Sequence, residues 1–162
     1  MTAIDFERKI VAVDGLAAAV ARLARPIVLT NGVFDVLHRG HVTYLAQARA
    51  LGASLVVAVN SDASVRQLSK GEDRPVNNEA DRAAVLAALE SVSMVTVFSA
   101  KLPLPVLEIV RPEIYVKGGD YDMAVVPEAA VVSRWGGTSL AIPFIHDVST
   151  SALLKRIRAS AP

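Results

Sequence analysis

The stretch Thr30-Asn31-Gly32-Val33-Phe34-Asp35-Val36-Leu37-His38-Arg39-Gly40-His41 is where this chain shows its organisation most plainly. An apolar run, Pro26-Ile27-Val28-Leu29, leads into it. A pattern with Val42, Leu45, Ala48 and Leu51 at helical spacing leads out, and Gly52 ends that pattern. The context is a strand, a glycine-containing turn and the first turn of a helix. His38 and His41, three residues apart, share one face of that turn. Beside them are unpaired helix N–H groups and the positive end of the helix dipole, a place suited to polyphosphate. Gly40 keeps the helix start clear of a side chain. The arrangement points to chemistry on a nucleoside triphosphate.

Working outward, the spacing predicts strands at 27–30, 55–59, 94–98, 114–117 and 140–144. The run 55–59 is continuously apolar, as in strands buried on both faces. Pro143 cannot donate to a ladder, so the last strand is expected to be short or at an edge. Helices are expected after Asp14, with Leu16, Val20 and Leu23 on the apolar stripe, and at 42–51. A third runs from Asn78 to Glu90, with Asp81 completing the cap. Others are expected from 103 or 104 to 110, at 127–134, and after Ser149-Thr150. The polar segment 67–78 reads as a loop. Strands alternating with helices imply an α/β fold, a Rossmann-like doubly wound sheet of about five parallel strands with helices on both faces. No repeat or internal boundary divides the 162 residues, so a single domain is expected, with its core at 25–158.

Composition narrows the classes. Seventeen basic and sixteen acidic residues leave a net charge of +1, which makes no electrostatic case for nucleic acid or a membrane surface. There is no cysteine, which excludes disulfides and thiolate zinc sites. Two histidines without a third protein ligand beyond Asp35 also argue against zinc, so no metal-ligating set is assigned. No signal peptide or run of about 20 apolar residues is visible, and a cytoplasmic protein is the expectation.

Ligands of such sheets bind beyond the carboxyl ends of the strands. Polar loops after the first, second, fourth and fifth strands all fall there: the histidine stretch, Asn60-Ser61-Asp62, Lys117-Gly118-Gly119-Asp120-Tyr121, and Ser149-Thr150-Ser151. Ser149-Thr150-Ser151 suits both N-capping and the holding of phosphates. Donors beside an α-phosphate under attack stabilise the charge that builds on its oxygens. Imidazoles can supply such donors without a permanent charge that would hold product too tightly.

The histidine stretch resembles the HxGH motif of the nucleotidyltransferase superfamily that includes the cytidylyltransferases and pantetheine-phosphate adenylyltransferase. A wider set occurs in order: Val59-Asn60-Ser61-Asp62, Lys70-Gly71 with Arg74-Pro75-Val76-Asn77, Leu89-Glu90-Ser91-Val92, and Val116 to Tyr121. Together these resemble the heptose 1-phosphate adenylyltransferases, which also occur as the C-terminal half of a bifunctional kinase/adenylyltransferase.

That resemblance implies ATP as substrate with Mg2+, a heptose 1-phosphate as acceptor, a homodimer, and a separate kinase upstream. It implies His38, His41 and Lys117 as catalytic groups. Thr30, Asn31, Gly32, Phe34, Gly40, Gly118, Gly119, Asp120, Ser149, Thr150 and Ser151 would surround the nucleotide. Asp35, Asn60, Asp62, Lys70, Arg74, Arg82 and Tyr121 would serve the acceptor side. The chain departs from the family in Val33, where cysteine is frequent, and in Ser151, where threonine is usual. The related glycerol-phosphate cytidylyltransferases carry an Arg-Thr pair at the positions of Phe144 and Ile145, which argues against that reading. The alternatives are another phosphate acceptor (glycerol 3-phosphate, ethanolamine phosphate or phosphopantetheine) and a non-catalytic nucleotide-binding module.

Overall fold

A computed structural model describes residues 5–68 and 73–160. Five strands, β1 (Ile27–Gly32), β2 (Ser54–Asn60), β3 (Met94–Phe98), β4 (Ile114–Gly118) and β5 (Thr138–Ile142), form one parallel sheet in the order β3-β2-β1-β4-β5. The helices are α1 (Val13–Val20), α2 (Arg39–Arg49), α3 (Asp62–Gln67), α4 (Glu79–Ala87), α5 (Leu104–Val110), α6 (Pro127–Ser133) and α7 (Thr150–Ala159).

Alternate side chains of the strands feed two cores. Ile27, Leu29 and Tyr115 pack with Leu16 of α1, Leu107 of α5 and Val132 of α6. Val28, Val57 and Val116 pack with Leu45 of α2 and Leu86 of α4. β2 is buried along its whole length, which explains its unbroken apolar composition. The chain winds outward from β1 to β2 and β3 on one side, then from β4 to β5 on the other. The carboxyl ends of β1 and β4 therefore flank the topological switch point, where open α/β sheets carry ligands.

The expected architecture holds, and its boundaries shift for identifiable reasons. β1 runs on to Gly32 because its last residues find partners in β2 up to Val59. The first helix starts at Val13 with Ala12 at the cap, so Asp14 lies inside its first turn rather than before it. The histidine helix starts at Arg39, with His38 in the cap position. Asn78 caps α4 as expected, accepting from the Asp81 N–H at 3.0 Å. β5 ends before Pro143 and is an edge strand. The other edge, β3, is partly covered: the Val11 N–H donates to Val95 O at 2.9 Å.

One α-helix was not foreseen. α3 has the polar sequence Asp-Ala-Ser-Val-Arg-Gln, too short for an apolar stripe. It forms because Ser61 caps it by accepting from the Ser64 N–H, and because the Glu79 carboxylate accepts from the Asp62 N–H at 2.7 Å.

Candidate active site

The turn after β1 is built around Phe34. Its φ of +49° is rare for a residue with a side chain. The ring folds back over Gly32, where an added Cβ would lie 2.9 Å from it. Its edge meets the His41 ring with centroids 5.5 Å apart. Four residues on, the His38 and His41 rings stack at 3.8 Å. Gly40 makes this stacking possible: a Cβ there would stand 3.0 Å from the His38 ring. The space that the sequence suggested was kept for phosphate is thus filled by an imidazole.

The Nδ1 atoms of both histidines are buried and have no protein partner. Burial lowers the His38 pKa. Burial first, and His38 second, lower that of His41 to about 4. Both rings are therefore neutral at neutral pH, which avoids two like charges in a stacked pair. The sign follows from linkage. His41 binds a proton less readily folded than unfolded, so it favours the fold above the ordinary histidine value near 6.5. That contribution is lost as pH falls from there toward 4. In the nucleotide-free protein, an NMR titration of His41 is expected to give a midpoint near 4, and saturating ATP should raise it, because an anion favours the imidazolium. A free-protein midpoint at 6.5 would contradict the burial of this ring.

Asp35 is an anchor. Its carboxylate takes Arg74 Nε at 2.5 Å and the N–H groups of Val76 and Asn77 at 2.9 and 2.8 Å, and its own carbonyl accepts from the Asn77 amide. Burial pushes its pKa up, but the Asn77 and Val76 N–H groups and Arg74 outweigh this and hold it below the ordinary aspartate value. The segment 74–77 is thereby pinned beside the histidine turn. Lys70, the other basic residue expected in that loop, lies outside the described residues.

Arg82 sits behind this anchor with a fully buried side chain. It donates to Asn77 O, Val33 O and Asp62 Oδ1 at 2.9, 2.7 and 2.7 Å. Arg82 and Asp62 thus face one another rather than the cleft. Asn60, also buried, donates to Ser64 Oγ at 2.9 Å. Thr30 is fully buried and shares a 2.6 Å hydrogen bond with the Tyr44 hydroxyl, which donates to Val116 O.

Across the switch point, Gly118 ends β4 and Gly119 adopts a φ of +119°. A Cβ on Gly118 would lie 2.8 Å from the Phe144 ring, so glycine lets this aromatic lean over the strand end. Lys117 reaches the other way, its Nζ 3.3 Å from Glu128 Oε1 and 5.3 Å from the Tyr121 ring centre. Asp120 is exposed. Ser149 caps α7 by accepting from the Ala152 N–H at 3.1 Å, and the Thr150 hydroxyl donates to Val36 O at 3.2 Å. That bond ties the start of α7 to the histidine turn, so two helix N-termini face one space.

The space is a cleft of about 490 Å³. β1 and its turn contribute Asn31, Gly32, Val33, Phe34 and Asp35; α2 contributes His41 and Tyr44. Arg74, Gly118, Tyr121, Phe144, Thr150 and Ser151 complete it. Of the residues expected at the site, His38, Gly40, Lys117, Gly119, Asp120 and Ser149 stand beside or behind this lining, while Thr30, Asn60, Asp62 and Arg82 are internal supports. Val33, Tyr44 and Phe144 line the cleft without having been assigned to it. Tyr44 carried a usable signal, an aromatic hydroxyl three residues after His41 on the same helix face. Among the described residues, no group of three or more His, Asp or Glu side chains forms a metal cage.

Residues 29–155 match the model of the cytidylyltransferase-like family. The chain is 58% identical over 160 residues to the D-beta-D-heptose 1-phosphate adenylyltransferase of Bordetella bronchiseptica, covering 98% of this chain and 99% of that one. It is 45% identical to the bifunctional protein HldE of Koribacter versatilis, covering 93% of this chain but only 31% of that longer protein. Among solved structures, the lipopolysaccharide core biosynthesis protein of Thermoplasma volcanium superposes with a TM-score of 0.62 at 29% identity, covering 73% of this chain and 94% of that one. Pantothenate synthetase of Thermus thermophilus, at 16% identity and a TM-score of 0.61 over 91% of this chain and 70% of its own, shares the fold. The stacked histidines at the switch point, the helix starts that face them and these similarities agree: the chain belongs to the cytidylyltransferase-like nucleotidyltransferases, within the family of heptose 1-phosphate adenylyltransferases.

Proposed function

We propose that this protein transfers the adenylyl group of ATP to D-glycero-β-D-manno-heptose 1-phosphate, giving ADP-D-glycero-β-D-manno-heptose and pyrophosphate. The product is an activated sugar for lipopolysaccharide core or another surface glycan. The observation that carries the reading is the neutral, stacked His38–His41 pair at the start of α2, tied by Thr150 to the start of α7 across the cleft. The 58% identity to the Bordetella adenylyltransferase supports the choice of acceptor.

The acceptor phosphate is itself the nucleophile, so the reaction needs no covalent enzyme intermediate and no strong general base. One acceptor oxygen forms the new bond to the α-phosphorus as the bond to the pyrophosphate oxygen breaks in line. His41, exposed to the cleft, donates to the oxygens on which charge builds, and His38 backs it by stacking. The Thr150 and Ser151 N–H groups at the start of α7, which no carbonyl of the helix accepts, hold the departing phosphates. Asp35 holds Arg74 at the cleft wall. Its oxygens are already committed to Arg74, Val76 and Asn77, so Asp35 itself has no free carboxylate oxygen to offer Mg2+. Magnesium enters as the triphosphate's counter-ion, supplying charge neutralisation, with no protein ligand assigned.

The reading extends to a cytoplasmic homodimer supplied by a separate heptose kinase. None of the described helices is long and apolar enough to cross a membrane, and the match of this chain to about a third of a longer protein named as bifunctional supports a coupled second activity.

The test is pyrophosphate release from ATP and Mg2+ with the β-heptose 1-phosphate, run beside the α-anomer, glycerol 3-phosphate and phosphopantetheine. Fast release is expected with the β-anomer alone. Release only with another acceptor would discard the heptose assignment and keep the chemistry. No release with any would overturn the enzyme reading in favour of a nucleotide-binding module.

A further inference from the structure

Glu128 is, with Asp35, one of two buried carboxylates among the described residues, at 1% exposure, and no motif in the sequence draws attention to it. It lies in the first turn of α6, packed against the face of the sheet that carries Tyr115 and Lys117. Its Oε1 has no hydrogen-bond partner within the protein's good geometries, yet Lys117 Nζ stands 3.3 Å away. A buried carboxylate is costly unless a charge compensates it, so this ion pair explains why Glu128 is tolerated in the interior.

Tyr115 stands on the same face of β4 as Lys117. Burial first, and Glu128 second, push the ionisation of the Tyr115 phenol above its ordinary range. That phenol donates to Asn31 Oδ1 at 2.6 Å, and Asn31 lines the cleft. Lys117 in turn stands over the Tyr121 ring, which also lines it. The wall of the cleft at the end of β4 is therefore braced from behind by this interior charge, through Lys117.

We propose that Glu128 is a positioning residue for the adenylyl transfer, fixing the Lys117 ammonium behind the Tyr121 wall at the end of β4, from where its charge acts on the triphosphate. This rests on the reaction proposed above. Without Glu128, Lys117 keeps its charge but loses its fixed place. ATP is then bound about as well in the ground state, while the charge that develops on the leaving pyrophosphate is met less well. The signature is a fall in kcat with KM for ATP unchanged or lowered.

The experiment is steady-state pyrophosphate release by four proteins: wild type, Glu128→Gln, Lys117→Met and the double variant, each with its Tm. Glu128→Gln preserves shape and removes the charge. It is expected to lower kcat roughly tenfold or more without raising KM for ATP. If Glu128 acts through Lys117, adding Glu128→Gln to Lys117→Met leaves kcat where Lys117→Met put it. An equal further drop in the double variant would overturn the proposal, as would a Glu128→Gln protein that changes Tm alone. Should Glu128→Gln not fold, Lys117→Met against the double variant decides by the same criterion, since the double variant leaves no uncompensated charge inside. A wild-type protein inactive with every acceptor would instead refute the reaction itself, a distinct result.

Discussion

Replacing His41 by Ala is expected to lower kcat by about a hundredfold to a thousandfold, the usual effect of removing one donor aimed at a developing oxyanion, while the protein stays folded. The expectation of an intact fold comes from the ring's surroundings. Its Nδ1 has no protein partner, so no hydrogen bond of the fold is broken. What is lost is edge contact with Phe34 and the stack on His38. The ring is thus better suited to a substrate that is absent than to its own interior, as expected for a group placed for chemistry. Pyrophosphate release and a thermal melt on the same preparation check this. Turnover near the wild-type rate would sink the catalytic role of His41, and a collapse of the melt would make it a structural residue.

Replacing Arg82 by Met should do the reverse. Its guanidinium is fully buried and joins three separate segments through Val33 O, Asn77 O and Asp62. Methionine fills much of the volume and satisfies none of these acceptors, leaving the Asp62 carboxylate without its partner. Breaking a buried pair by removing one member costs about 3–5 kcal/mol, which for a domain of this size lowers Tm by roughly 10 °C. Were Arg82 a phosphate-binding residue instead, the melt would be unchanged and KM would rise. A Tm within about 2 °C of wild type would refute the structural role. The two variants thus separate a residue held for the substrate from one held for the fold, although both are basic-capable side chains near one turn.

Much of this was legible in the chain itself. The alternation of apolar runs with 3.6-residue patterns specified a parallel α/β sheet, because buried central strands such as β2 admit only apolar side chains. Asn78 and Ser149 were readable as caps because capping depends on a few adjacent residues. His38 and His41 were singled out by their three-residue spacing, but His38 sits at the extended cap of α2 and stacks on His41 because Gly40 leaves room. α3 was not legible, since its six residues carry no apolar stripe and its local cap, Ser61, is joined by a carboxylate seventeen residues downstream.

The sequence by itself determined the order of elements, the placing of the site beyond the carboxyl ends of the strands and the identity of the two histidines, which depend on local patterns. Only the tertiary structure decided what each charged residue faces. Arg82 and Asp62 turned out to satisfy one another inside, Asp35 to pin the segment 74–77, and Lys117 to be held by Glu128. The physical reason is that a buried charge must be compensated within a few ångströms. Its compensating partner arrives from another part of the chain, at a place set by packing, and no pattern of neighbouring residues encodes that.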